Sequence, residues 1–141
     1  MAGKTHYFEE VLLNHIFRTT GYSQPSTLYV GLFSATPSDD GGGTELTIGA
    51  NNYARASVGS LDADWTATVG SGTTPAQVAN AAAITFNSPT GSNWAQVSWF
   101  GIFDASTAGN LLYWAALTTP KTCAVGDTVS FAIGALVVKE D

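Results

Sequence analysis

Two histidines, one cysteine and two pairs of closely spaced aspartates are the side chains best suited to acid–base or metal chemistry. His6 and His15 are nine residues apart, and nine steps of about 100° place them on opposite faces of a helix. They therefore cannot share a metal ion or act as an acid–base couple. His15 continues an apolar stripe and is predicted to be a packing histidine. Cys123 has only Lys121 as a nearby cation, which favours a small buried hydrophobe over a nucleophile.

The aspartate pairs suggest calcium binding or glycoside hydrolysis, both of which use paired carboxylates. Asp62 and Asp64 would share one face of a strand, while Asp39 and Asp40 precede a run of three glycines. Neither pair fits the spacing of a calcium loop, so solvated turn carboxylates are favoured and an opportunistic divalent ion is the alternative. The sequence contains neither a phosphate loop nor a serine nucleophile elbow. It therefore predicts a protein that is not an enzyme and that has no cofactor and no metal site.

Charge is scarce in the sequence. Only 11% of the 141 residues are charged, whereas a soluble domain normally carries about 25%. The five cations are scattered, the net charge is −6, and residues 56–120 contain no Lys or Arg. The absence of a basic stripe argues against nucleic acid as a partner. Such a surface is either neutral and hydroxylated or partly covered by other chains, and the second explanation is favoured.

Membrane and export signals are also missing. No run reaches 18 apolar residues, so no membrane span is predicted. The first residues place acidic side chains where a signal peptide would become apolar, and no signal peptide is predicted. One cysteine cannot form an intrachain disulfide. Together these features predict assembly in a reducing cytoplasm.

The elements that must position these residues are one helix followed by strands. A helix is predicted over residues 6–19, capped by Thr5 and ended by Gly21. Apolar residues recur there at helical spacing and form one stripe: Phe8, Val11, Leu12, His15 and Ile16. Alternating apolar patterns bounded by turn residues predict strands over 27–34, 52–58, 64–68, 82–87, 94–104, 110–117, 121–125 and 128–139, the last with a break at Gly134. Residues 36–43 and 67–83 are predicted to be loops.

Short strands at roughly ten-residue spacing predict an antiparallel β-sandwich, jelly-roll-like, with one N-terminal α-helix. Residues 1–141 are expected to form a single domain, with a helical segment over 1–22 and the sandwich over 27–141.

Aromatic side chains are concentrated in two strands joined by a turn at 105–109. Trp99 and Phe103 should share one face of their strand, and Phe100 and Ile102 the other. Bulky residues on both faces indicate a strand covered on both sides, or one whose face contacts a partner. An exposed aromatic platform for sugars is the alternative. The predicted partner interface comprises Phe8, Leu12, Trp94, Trp99, Phe100, Phe103, Tyr113 and Trp114.

Three segments resemble a family of small tailed-bacteriophage proteins, usually labelled tail-fibre or minor virion proteins. The first is LYVGLFSATP at 28–37 with 39–45, and the second is NYAR at 52–55. The third runs from FGIFDA at 100–105 through GNLLYWAAL at 109–117 to Lys121 and GDTVSF at 126–131. Family members often carry Gly where this chain has Ala108 and Ala115.

The resemblance implies a non-enzymatic structural protein of the virion, assembled in the bacterial host. A small sandwich with one short helix favours capsid decoration, that is, a cement protein bound to the major capsid protein. The usual site symmetry of such proteins implies a symmetric homotrimer. The alternative is a tail-fibre or receptor-binding component that contacts tail proteins and attaches to host surface glycans. The helix or the aromatic hairpin is expected to make the contacts between chains.

Overall fold

The computed structural model describes residues 2–140 as a mainly β protein with one helix. Two features of the sequence explain this: alternating apolar residues favour strands, and Thr5 provides a helix cap. The strands are β1 Ala2–Lys4, β2 Thr27–Ala35, β3 Thr44–Glu45, β4 Ala56–Gly59, β5 Val69–Ser71, β6 Thr74–Ala79, β7 Ile84–Thr85, β8 Trp94–Phe103, β9 Leu111–Cys123, β10 Ser130–Phe131 and β11 Val137–Glu140. The helices are α1 His6–Phe17 and a 3₁₀ turn at Ala50–Asn52.

The largest sheet has six antiparallel strands, five of them in the order β1-β9-β8-β2-β3. Strand β4 also pairs with β2, along residues 27–30, while β3 pairs with its far end. We call this the main sheet. Its centre is the β8–β9 hairpin with β2 paired beside β8; here Gly31 lies opposite Gly101 and Gly101 lies opposite Trp114.

Two smaller sheets, β11-β6-β5 and β10-β7, form a second layer. The principal core lies between the layers and is built from alternate residues of each: Val30, Leu32, Phe100 and Ile102 from the main sheet, with Ile84, Phe86, Leu136 and Val138 from the second. The predicted mainly β, sandwich-like fold with one N-terminal helix is confirmed.

Helix α1 begins as predicted. Thr5 Oγ1 accepts a hydrogen bond from the Phe8 amide and donates one to the Leu111 carbonyl, 2.5 Å away in β9. Thr5 is fully buried, so one side chain both caps the helix and anchors it to the main sheet. Phe8 is the one buried apolar residue of α1, packed edge-on against Tyr22 and Tyr113.

The rest of the helix prediction needs correction. The helix ends at Phe17, and Arg18 rather than Gly21 provides the C-cap. His15 is exposed and accepts a hydrogen bond from the Tyr22 amide, so it is not a packing histidine. Ile16 is 67% exposed. The predicted stripe is therefore buried only at its N-terminal end, where the helix is anchored.

Some strand predictions also fail. The predicted 67–83 loop contains β5 and β6, joined by a tight turn at Gly72 with φ of 59°. Residues 64–68 are not a strand, because Trp65 makes only an isolated bridge to Asn80. The predicted strands 110–117 and 121–125 form one strand, β9, interrupted by a bulge. Strand β6 pairs with β11, about sixty residues further along the chain. A pairing over that distance cannot be predicted from the local sequence pattern.

Replacing Thr5 with alanine removes both the helix cap and the bond to β9. We expect a loss of about 1–2 kcal/mol in the free energy of unfolding, the size measured for caps of this kind. Urea denaturation checks this, with Thr107→Ala in an exposed turn as the matched control. Equal stability of the two variants would contradict the anchoring role of Thr5.

Candidate interaction surfaces

Strand β8 presents different faces to the two sides of the main sheet, as predicted. Phe100 and Ile102 belong to the principal core. Phe103 belongs to a second cluster on the opposite face, and Trp99 packs against that cluster.

We call this second cluster the outer aromatic cluster. Phe33, Phe103 and Leu111 are buried at its centre, and three partly buried rings pack around them: Tyr29, Trp99 and Trp114. Phe33 and Phe103 are stacked, with ring centroids 6.0 Å apart. Trp99 and Trp114 are 5.8 Å apart and inclined at 60°. The two tryptophans keep part of their surface exposed.

Arg55 closes one end of the outer aromatic cluster. Its Nε and Nη2 donate to the two carboxylate oxygens of Glu45 at 2.8 and 2.7 Å. Its Nη1 donates to the carbonyls of Ala105 and Ala108, each at 2.8 Å. Its guanidinium carbon lies 3.3 Å from the ring centroid of Phe103. A planar guanidinium can satisfy these partners together, which a lysine ammonium cannot do.

The surroundings of this ion pair explain the residue types beside it. The Arg55 side chain is 5% exposed and that of Glu45 is 18% exposed. The Tyr53 hydroxyl donates to Glu45 at 3.0 Å and accepts from the Leu32 amide at 2.8 Å. At Gly31, a Cβ atom would lie 2.8 Å from both Glu45 and Phe103, so only glycine leaves room for the pair.

The hairpin turn that Arg55 contacts is held from both ends. The Asp104 carboxylate accepts from the amide and the side chain of Asn110 at 2.6 and 2.8 Å. Ala108 has a φ of 50°, in the left-handed region that favours glycine. Arg55 binds the carbonyl of this residue and thereby supports the strained turn.

The predicted interface residues are divided by the fold. Phe8, Trp94, Phe100 and Phe103 are buried within the chain itself. Four others keep partial exposure, namely Leu12, Trp99, Tyr113 and Trp114. The Tyr113 hydroxyl donates a hydrogen bond to Glu140. Burial is the larger cause, and the Glu140 carboxylate the smaller one, that raises the pKa of Tyr113 above its ordinary value. As contact residues, these four stay a prediction.

The candidate carboxylates take part in turns. Asp39 accepts from the Trp114 indole at 3.3 Å, and Asp40 pairs with His6 at 2.9 Å. Asp62 and Asp64 lie in a turn rather than on one face of a strand, and Asp64 accepts the Leu61 amide. Within residues 2–140, no three His, Cys, Asp or Glu side chains group closely enough to hold a metal ion.

Cys123 is buried, as predicted, with 3% of its surface exposed. Burial raises the pKa of its thiol, and the Asp127 carboxylate adds to the effect. A thiol held in the protonated form is a poor nucleophile.

A surface that the sequence pattern did not indicate lies on α1. Leu13, Ile16 and Phe17 are 58%, 67% and 77% exposed. At about 100° per residue they fall within about 100° of arc, with Leu13 and Phe17 on the side facing away from Phe8 and Ile16 about 80° from it. We call these three residues the α1 apolar face. Helical periodicity could locate apolar residues, but it assigned Ile16 to the buried side.

The fold and these surfaces define a small β-rich module with exposed apolar side chains on its helix. The chain matches the family model described as Podophage GP4 fiber I protein gp80 over residues 3–139, and it belongs to that family. It is thus a structural component of a phage virion, of the fibre type. No curated protein matches the chain. No helix within residues 2–140 is long and apolar enough to span a membrane.

The three family-like segments meet at Arg55. Glu45 ends the first segment, Tyr53 and Arg55 belong to the second, and Phe103 lies in the third. In this chain one buried ion pair and the groups that satisfy it therefore connect the three segments.

Replacing Arg55 with glutamine removes two of the three donors to the Glu45 carboxylate, leaving the Tyr53 hydroxyl, and takes the shared donor from the carbonyls of Ala105 and Ala108. We expect a loss of about 3–5 kcal/mol in the free energy of unfolding, the usual cost of breaking a buried pair. Urea denaturation measures it, with the exposed Arg18→Gln as a control expected within about 0.5 kcal/mol of the parent. In a double-mutant cycle, additive losses for Arg55→Gln and Glu45→Gln would contradict a direct coupling.

Stability should fall at alkaline pH because of Tyr53. Burial, and then the Glu45 carboxylate, raise the pKa of Tyr53 above its ordinary value, whereas the unfolded chain titrates near 10. Below pH 10 both states keep the proton and the contribution is constant. Above it only the unfolded state loses the proton, so stability falls by about 1.4 kcal/mol per pH unit for this residue. The Tyr53→Phe variant should lose stability less steeply above pH 10, and equal slopes would count against this account.

Proposed function

We propose that this protein is a non-enzymatic structural component of a podophage fibre, joined to neighbouring virion proteins through the α1 apolar face. The observation that carries the proposal is the exposure of Leu13, Ile16 and Phe17 side by side on one helix. Single exposed apolar residues are ordinary, but contiguous ones mark contact sites. Covering each side chain contributes about 1.5–3 kcal/mol.

The total surface supports coverage by other chains. The chain exposes 7836 Å², whereas a folded monomer of this mass is expected to expose roughly 6,900 Å². The low charge of the sequence agrees with this: water-facing charge is scarce, and apolar side chains take part of its place.

A homotrimer is the assembly we propose. A closed ring of three copies would cover the α1 apolar face of every copy, or present all three faces together to a tail protein. Native mass spectrometry of the purified chain tests the oligomeric state, and a monomer across the micromolar range would contradict it.

The α1 apolar face is tested with the triple variant Leu13→Ser, Ile16→Ser, Phe17→Ser. We expect at least a tenfold loss of incorporation into virions, because the lost burial amounts to several kcal/mol. Incorporation is measured by quantitative mass spectrometry of purified particles from cells that supply the variant in place of the parent. The thermal unfolding midpoint should stay close to that of the parent, since these side chains are exposed.

The matched control replaces two equally exposed apolar residues elsewhere, Leu61→Ser and Ile133→Ser, which are 69% and 71% exposed in the parent. This control should incorporate normally. If the triple variant incorporates as well as the control, α1 is not the contact surface.

Capsid decoration is the second candidate. It is favoured by the form of the molecule: the one α-helix described spans 12 residues, about 18 Å, and the strands fold back into two layers. In this case the α1 apolar face would contact the major capsid protein. Immunogold labelling of intact virions separates the two, since label on the tail supports the fibre role and label on the head supports decoration.

A further inference from the structure

A cleft of about 680 Å³ opens between the main sheet and the second layer. Lys121 stands on one wall, at the end of β9, and Lys139 on the other, in β11. None of the described residues that line it is an Asp or Glu, although the chain has eleven acids and only five cations. The Asp127 carboxylate acts on Cys123 from outside the lining, whereas both lysines belong to the lining itself. Two lining lysines with no carboxylate among the described lining residues favour an anionic ligand. We call this cleft the dilysine cleft.

The lining between the lysines is polar at the rim and apolar at the floor. Thr118, Thr119 and Ser130 are exposed on the walls, and Gln77 is half-buried opposite Lys139. The floor includes Phe131, whose ring packs edge-on against Phe100 at 5.7 Å. Clefts of this size, apolar below with a few convergent polar groups, are typical of ligand sites.

The backbone beside the cleft is not a template for an added peptide strand. Ala116 pairs with Trp99 and Lys121 with Val97, so four residues of β9 lie opposite one residue of β8. This bulge includes Pro120, which has no amide hydrogen to donate. Strand addition needs a regular row of amides and carbonyls. Side-chain hydroxyl, amide and ammonium groups are therefore the main donors, and these groups suit a saccharide.

We propose that the dilysine cleft binds an acidic saccharide, a glycan that carries carboxylate sugars such as hexuronic acids. Lys121 and Lys139 pair with carboxylates, the wall hydroxyls and Gln77 bond to sugar hydroxyls, and Phe131 contacts the apolar side of a ring. This role goes beyond assembly into the fibre, and none of the residues that line the cleft belongs to α1.

The test uses the purified full-length chain and trigalacturonate as the probe, with maltotriose as the neutral control, in calorimetric and NMR titrations at low salt. We expect saturable binding of trigalacturonate, shifts at Thr118, Thr119 and Ser130, and weakening by added salt. Lys121→Gln and Lys139→Gln should each weaken binding about tenfold, as loss of a charge-assisted hydrogen bond does. Thr119→Trp should block the cleft while keeping both lysines, and Arg18→Gln, outside the cleft, should change nothing.

Three results would overturn the proposal: no saturable binding of trigalacturonate, equal binding of maltotriose, or equal weakening by Arg18→Gln. Tighter binding of a hexaglutamate peptide than of trigalacturonate would also overturn it and would assign the cleft to an acidic peptide. Because the titrations use isolated protein, their result is independent of virion incorporation through α1. Failure of either proposal is thus seen separately.

Discussion

The Arg55 guanidinium is almost fully buried, and one carboxylate, two carbonyls and one aromatic ring compensate its charge. Removing a charge from water costs several kcal/mol, so each of these groups must be held in place when the chain folds. Glu45 sets the position of β3 against β2, and the two carbonyls set the shape of the β8–β9 turn. The ion pair also requires glycine at position 31, where a Cβ atom would collide with Glu45 and Phe103, and the Tyr53 hydroxyl, which donates a hydrogen bond to Glu45.

This constraint explains why the two faces of the main sheet differ. The second layer covers one face and completes the principal core. On the other face the Arg55 pair covers the end near Phe103, and the rings of the outer aromatic cluster pack over the centre and stay partly exposed. The helix is attached at its first turn through Thr5 and Phe8, so its last turns project apolar side chains. The surfaces proposed for contact are therefore places where a rigid scaffold leaves apolar groups uncovered.

The distribution of cations follows the same division. Two of the five have structural partners, Arg55 with Glu45 and Lys4 with Glu140. The latter pair links β1 to β11, next to the Tyr113 hydroxyl that also binds Glu140. Two more, Lys121 and Lys139, line one cleft from opposite walls. Lys121 and Lys139, distant in sequence, line the same cleft because β9 and β11 lie in facing layers.

The sequence alone determined the elements whose signals are local. Strand β2, strand β8 with its two faces, the Thr5 cap and the buried Cys123 all follow from residues within a few positions of one another. Local periodicity also located the apolar residues of α1, but only the contact with β9 decides which of them are covered. The pairing of β6 with β11, the Arg55 site and the dilysine cleft depend on residues 10 to about 60 positions apart. Tertiary structure decided these features. Long-range pairing and the cost of burying a charge act between distant segments, and the local pattern of one segment does not identify the other.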